Sequence, residues 1–105
     1  MERPWFYSLR VPPLQGVPFN DAEAATIRRY FADHPVTPES IAPRDARALR
    51  RGAHLPTTVT RKPVPSDLVA MLRAREGYEV LIIGHDIVLF ATRRAVVIDV
   101  LRDVI

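Results

Sequence analysis

All ten prolines of this 105-residue chain lie at or before Pro65, and that asymmetry constrains the fold more than any other feature. Proline has no N–H to give a sheet ladder and breaks a helix interior. The first 65 residues must therefore be short elements joined by extended connections. From Ser66 onward there is no proline and β-branched residues abound, so continuous hydrogen-bonded structure belongs there.

Helix signals punctuate the first part. Asn20 followed by Glu23 is an Asn-x-x-Glu form of the capping box, and it opens NDAEAATIRRYFADH, in which Ala24, Ile27 and Phe31 recur at helical spacing. This predicts a helix over about 20–33, stopped by Pro35, with Arg28 and Arg29 on its other side. Thr37-Pro38 and then Pro43 are successive starts for a short helix over about 44–51, ended by Gly52. Ala42, Ala46, Leu49 and Ala53 would line one of its faces, and Arg44, Arg47 and Arg51 another. TTVTR, residues 57–61, reads as a brief edge strand. Ser66 is expected to cap a third helix over about 66–76, with Leu68, Val69 and Leu72 as its buried stripe and Gly77 as its end.

The closing stretch, GYEVLIIGHDIVLFATRRAVVIDVLRDVI, holds three apolar runs cut by two short polar breaks. It reads as a three-stranded antiparallel meander over about 78–101, with Gly84-His85 or His85-Asp86 and then Arg93-Arg94 as two-residue hairpin loops. Even loops preserve side-chain parity. One face then carries Tyr78, Val80, Ile82, Ile87, Leu89, Ala91, Val96, Ile98 and Val100 and is the core face. The other, carrying Glu79, Leu81, Ile83, Asp86, Val88, Phe90, Val97, Asp99 and Leu101, is mixed. The expected fold class is α+β: the meander packed with two or three short helices. Residues 1–19 form a proline- and aromatic-containing arm and 20–105 a single domain, for which 48% hydrophobic residues supply a small core.

Function is bounded mostly by exclusion. The net charge of +3 is spread through alternating acids and bases, and the chain has no cysteine for disulfides or thiolate metal sites. The opening residues contain no apolar run of signal-peptide length, and nowhere do about 18 apolar residues run together. The chain as written is expected to be soluble, cytoplasmic if untargeted and periplasmic if a signal peptide has been trimmed. His34, His54 and His85 have no metal-ligand spacing, so neither metal nor cofactor is expected. Asp86 and Asp99 share the mixed face, the raw material of an acid pair, but they stand on a hairpin and a solvated strand; no catalytic residue is assigned and no enzymatic activity is expected.

Binding is the stronger expectation. Leu81, Ile83, Val88, Phe90, Val97 and Leu101 on the mixed face make a large apolar patch, with Phe90 as anchor and Leu81, Val88 and Val97 around it. It meets a protein partner or a second copy of the chain, the alternative being a cover of the chain's own helices. Trp5, Phe6 and Tyr7 in the arm either dock onto another chain or fold back over the sheet. Arg44, Arg47 and Arg51, extended by Arg28, form an anion-binding footprint that makes a small nucleic-acid-associated protein the alternative function.

The run Gly77-Tyr78, then Gly84-His85-Asp86-Ile87-Val88-Leu89, then Ala95-Val96-Val97-Ile98-Asp99-Val100 resembles the C-terminal module of the RcnB-like family of small bacterial envelope proteins. IRRYFADHPV and LPTTVTRKPVP resemble a related family of secreted domains of unknown function. The resemblance covers about two-thirds of the chain, largely through hydrophobic pattern and turn residues. It implies a non-enzymatic periplasmic protein. The founding member's link to nickel and cobalt homeostasis brings no ligand set to this chain. The second hairpin departs from the family pattern, with Thr92-Arg93-Arg94-Ala95 where a glycine is usual.

Overall fold

The computed structural model describes residues 17–105. Helix α1 (Asp21–Asp33) starts where the capping box requires: the Asn20 side chain accepts from the Glu23 N–H at 2.7 Å, and the Glu23 carboxylate accepts from the Asn20 N–H at 3.1 Å. Its Ile27, Tyr30 and Phe31 are buried. Helix α2 (Pro43–Ala48) follows, then strand β1 (Lys62–Pro63), helix α3 (Ser66–Val69), and the strands β2 (Tyr78–Ile83), β3 (Asp86–Ala91) and β4 (Val96–Leu101). The sheet is antiparallel in the order β1-β2-β3-β4, so the α+β class holds with four strands in place of three. The edge strand lies just beyond the TTVTR stretch.

Two helices are shorter than their patterns. α2 ends at Ala48, three residues before Arg51. α3 begins after Pro65, which has no side-chain acceptor to cap it, and stops at Val69 although the pattern runs to 76. The Met71 and Leu72 N–H groups turn to the carbonyls three residues back, Leu68 and Val69, and the Arg73 N–H, which a continuing helix would give to Val69, goes to the Glu23 carboxylate at 3.0 Å. Val69 consequently leaves the expected buried stripe and is 47% exposed.

The first hairpin has the two-residue loop Gly84-His85, since Ile83 pairs with Asp86. Gly84 takes φ +60°, and a Cβ there would meet Ile41 Cδ1 at 3.3 Å, so both backbone and packing favour glycine. In the second hairpin Ala91 pairs with Val96, which makes the loop four residues, Thr92–Ala95. Ala95 adopts the left-handed conformation, φ 55°, in place of the missing glycine. Thr92 ties the loop down by donating from both N and Oγ1 to the Gly77 carbonyl.

Parity survives that loop but not β4 itself. Phe90 pairs with Val97 while Leu89 pairs with Asp99, so Ile98 is an extra, bulged residue. Beyond it the faces are exchanged. Asp99 and Leu101 join Leu89 and Ile87, and Val100 joins Val88. The expectation that Asp86 and Asp99 share a face is therefore corrected, because Asp86 lies opposite Ile83 on the other side of the sheet.

Both faces of the sheet are covered. On one, Ile82, Ile87 and Leu89 pack with Ile27, Tyr30 and Phe31 of α1 and with Phe19, Val64 and Leu68. On the other, Leu81, Ile83, Val88, Phe90 and Val97 pack beneath Leu49, Leu55 and Val59 from the segment following α2. Phe90, Leu81, Val88 and Val97 are thus core residues and not a docking surface, because the chain supplies its own cover. The outer edge of β4 is shielded too: the Gly52 N–H donates to the Val97 carbonyl, the Val97 N–H to that of Ala53, and His54 bridges to Val96.

Leu89 is fully buried between β2 and β4, so Leu89→Ala is expected to cost about 2–5 kcal/mol in chemical denaturation. Phe90→Lys should unfold the domain by placing a charge beneath Leu49 and Val59; a folded variant with native circular dichroism would return that face to the surface.

Candidate functional site

The most connected polar group among the described residues is the Glu23 carboxylate, 4% exposed. Besides capping α1 it accepts from Arg75 Nη1 at 2.8 Å and Nη2 at 2.7 Å, from Arg73 Nη2 at 2.8 Å, and from the Arg73 N–H. The Arg75 side chain is itself buried, and its other donors reach the carbonyls of Val17 and Pro18 while its guanidinium lies 5.3 Å over the Phe19 ring. Arg73 also donates to the Pro18 carbonyl. One carboxylate thereby ties the start of α1, the segment entering it and the bend after α3 into a single clamp. Burial opposes the charged carboxylate, but the arginine and backbone donors outweigh it and hold the Glu23 carboxyl well below the usual carboxylate range.

Against the clamp lies an apolar cleft of about 230 Å³ over the beginning of β2. Val64, Val69, Leu72, Tyr78, Val80 and Leu89 line it, and Arg73 and Arg75 form part of its wall. The bend beside it is the one that Glu23 fastens through the Arg73 N–H.

The residues singled out by sequence are distributed as follows. Asp86 accepts from Arg102 Nη1 and from the Asp103 N–H, each at 3.0 Å, which fastens the chain end to the first hairpin; Arg102 also bonds the Leu49 carbonyl. Asp99, turned by the bulge, accepts from the Phe19 N–H and from Arg51 Nε, both at 3.0 Å. Each histidine uses Nδ1 toward a backbone carbonyl, which can only accept: His34 toward Tyr30, His54 toward Ala95, His85 toward Ile105. Their Nδ1 atoms are therefore the protonated ones, and the rings pin a helix end, a sheet edge and a turn.

The four arginines of the anion footprint do not share one helix face. Arg51 lies past the end of α2 and pairs with Asp99, Arg44 stands beside Asp45, and Arg28 on α1 donates to the Arg102 carbonyl. Arg47 stays exposed on α2. Trp5, Phe6 and Tyr7 lie outside the described residues. Sequence reasoning identified Glu23 only as a cap. Its arginine partners stand fifty and more residues away in a stretch patterned as helix, and no local spacing announces them.

Among the described residues no group of three or more His, Asp or Glu side chains is arranged to hold a metal ion. The buried carboxylates each meet an arginine and a backbone N–H, an arrangement that fixes chain segments and leaves the cleft as the feature able to take up an apolar group.

A scan of protein-family models and a search of curated proteins gave no match. Among solved structures, the chain is similar to the C-terminal domain of inner membrane protein CigR from Salmonella enterica. The two share 33% identity and a TM-score of 0.71, over 80% of this chain and 88% of that one. The likeness supports a bacterial envelope-type domain and does not single out the RcnB-like group.

The clamp has an acid signature. Because the folded Glu23 carboxyl titrates below its ordinary value of 4.5, it contributes stability that is fully present above that pH and is lost progressively as pH falls beneath it. Glu23→Gln should be less stable near neutral pH, by about 3–5 kcal/mol for a buried pair left with one partner, and should lose less on acidification than the wild type. Denaturant melts at several pH values measure both; parallel pH profiles for the two proteins would contradict the clamp.

Proposed function

The chain belongs to the family of the CigR C-terminal domain, and from that membership we propose that it serves as a non-enzymatic interaction domain of a bacterial envelope protein. The observation that carries the reading is the extent of the likeness, 88% of a domain whose parent is described as an inner membrane protein. The chemistry of the interior agrees with it. Glu23, Asp86 and Asp99 each pair with an arginine and accept from backbone N–H groups, so all three serve to join chain segments.

No helix among the described residues is long and apolar enough to cross a membrane, and the reading does not depend on one. The RcnB-like relationship remains part of the proposal. It rests on the Gly77-Tyr78, Gly84-His85-Asp86 and Ala95–Val100 pattern, which here builds the two hairpins and the bulged edge strand. The sheet faces are internal, so the partner meets the domain elsewhere; among the described residues the exposed large hydrophobics are Val69 and Met71, at the bend after α3. That partner is a protein or a second copy of the chain.

Fusing alkaline phosphatase, which is active only outside the cytoplasm, to the end of the natural gene tests the compartment on which this proposal depends. An active fusion is expected. An inactive phosphatase fusion alongside an active β-galactosidase fusion at the same position would contradict an envelope role.

A further inference from the structure

We infer that the apolar cleft between α3 and the start of β2 takes up a medium-chain fatty acid, with the alkyl chain against Val80 and Leu89 and the carboxylate beside Arg73. The inference goes beyond the envelope reading and does not depend on it. Three features of the domain carry it.

The first is an unbalanced charge. Arg73 and Arg75 share the Glu23 carboxylate, so two guanidinium groups meet one anion and the clamp keeps a unit of positive charge. The Arg75 side chain is sealed in at 4% exposure, whereas that of Arg73 is 37% exposed and stands in the cleft wall. Nη2 of Arg73 donates to Glu23 and to the Pro18 carbonyl, but its Nε is buried without an acceptor. A buried donor left unpaired costs free energy, and a monoanion entering beside Arg73 answers both the unfilled donor and the surplus charge. Glu79 also borders the cleft but does not supply that anion. It pairs with Phe90 and alternates with Tyr78 and Val80 along β2, so its side chain belongs to the opposite face of the sheet.

The second is the size and character of the space. Val64, Leu72, Val80 and Leu89 line a volume of about 230 Å³. At roughly 30 Å³ for each methylene-sized unit, that holds a chain of about eight such units. Val69, 47% exposed at the lip, continues the apolar surface outward. A cleft of this composition gains free energy by admitting an alkyl chain.

The third is the poverty of backbone partners. A peptide lying in the cleft would need bonds for its own N–H and C=O groups. The strand beside the cleft is β1, whose neighbouring Val64 gives its N–H to the Val80 carbonyl, while Pro63 and Pro65 have no N–H to give. The fitting ligand is apolar along its length and charged at one end, which describes a fatty acid and not a polypeptide.

Titrating the full chain with octanoate should move the methyl resonances of Val64, Leu72, Val80 and Leu89 saturably. Octan-1-ol, of the same length without the charge, should bind about tenfold more weakly or worse. Arg73→Met leaves Glu23 paired with Arg75 and should bring octanoate down to the level of the alcohol. If that variant unfolds, Val69 decides, because it stands at the lip outside the clamp: with circular dichroism unchanged, Val69→Lys should tighten octanoate and Val69→Asp weaken it several-fold. Methyl shifts that do not saturate, equal affinity for octanoate and octan-1-ol, or two Val69 variants that bind octanoate alike would overturn the inference. So would the same methyls shifting with protein concentration alone, which would give the cleft to a second copy, or tighter binding of a tetrapeptide ending in leucine, which would give it to a protein tail. The phosphatase fusion is indifferent to all of these outcomes, so failure here is distinct from failure of the envelope reading.

Discussion

The Glu23 carboxylate is the interaction on which the other arrangements depend. A capping glutamate at a helix start is ordinarily half in solvent, and its reciprocal bond to the cap residue is a local matter. Here the same two oxygens also receive Arg73 and Arg75, and an ion group so deeply placed persists only when its remaining lone pairs are filled. Filling them takes the Arg73 N–H, which fastens the bend after α3 to the start of α1 beside the cleft. It also brings Arg75 to the Val17 and Pro18 carbonyls, which sets the direction from which the N-terminal segment arrives. The bend after α3, one wall of the cleft and the chain's entry into α1 are therefore joined at one desolvated charge.

The other two buried acids work on the same plan at different joints. Asp99 brings Phe19 and Arg51 to the bulged edge strand, and Asp86 brings Arg102 and Asp103 to the first hairpin. In a domain this small the apolar area removed from water is limited. Three carboxylates that each join distant segments add specificity of arrangement where burial alone would leave the long proline-bounded connections free to choose among positions.

Much of this fold was legible in the sequence, and what was not legible failed for identifiable reasons. The proline boundary, the Asn20–Glu23 box and the Gly84 turn rest on local backbone chemistry, and each stands where local chemistry put it. Parity reasoning carried the face assignment correctly as far as Val97. It ended at Ile98, because a bulge is set by cross-strand packing and leaves no periodic mark on its own strand. The cover over Phe90, expected first from a partner and only as the alternative from the chain's own helices, comes from the segment following α2, and this was not legible for a similar reason. Leu49, Leu55 and Val59 lie at irregular spacing among prolines and threonines, and only the tertiary path of that loop shows them to be a layer. The candidate site was least legible of all, since Glu23 and its arginines meet across fifty residues and the helical pattern of 66–76 concealed the bend.

A double-mutant cycle on Glu23→Gln and Arg75→Met, read by chemical denaturation near neutral pH, tests the central place given to this carboxylate. If the clamp organises the domain, the two losses should not add, and the coupling should reach at least about 1 kcal/mol, with the double variant scarcely less stable than the worse single one. Losses that add to within about 0.5 kcal/mol would show Glu23 and Arg75 acting independently, and the account built on their contact would fail.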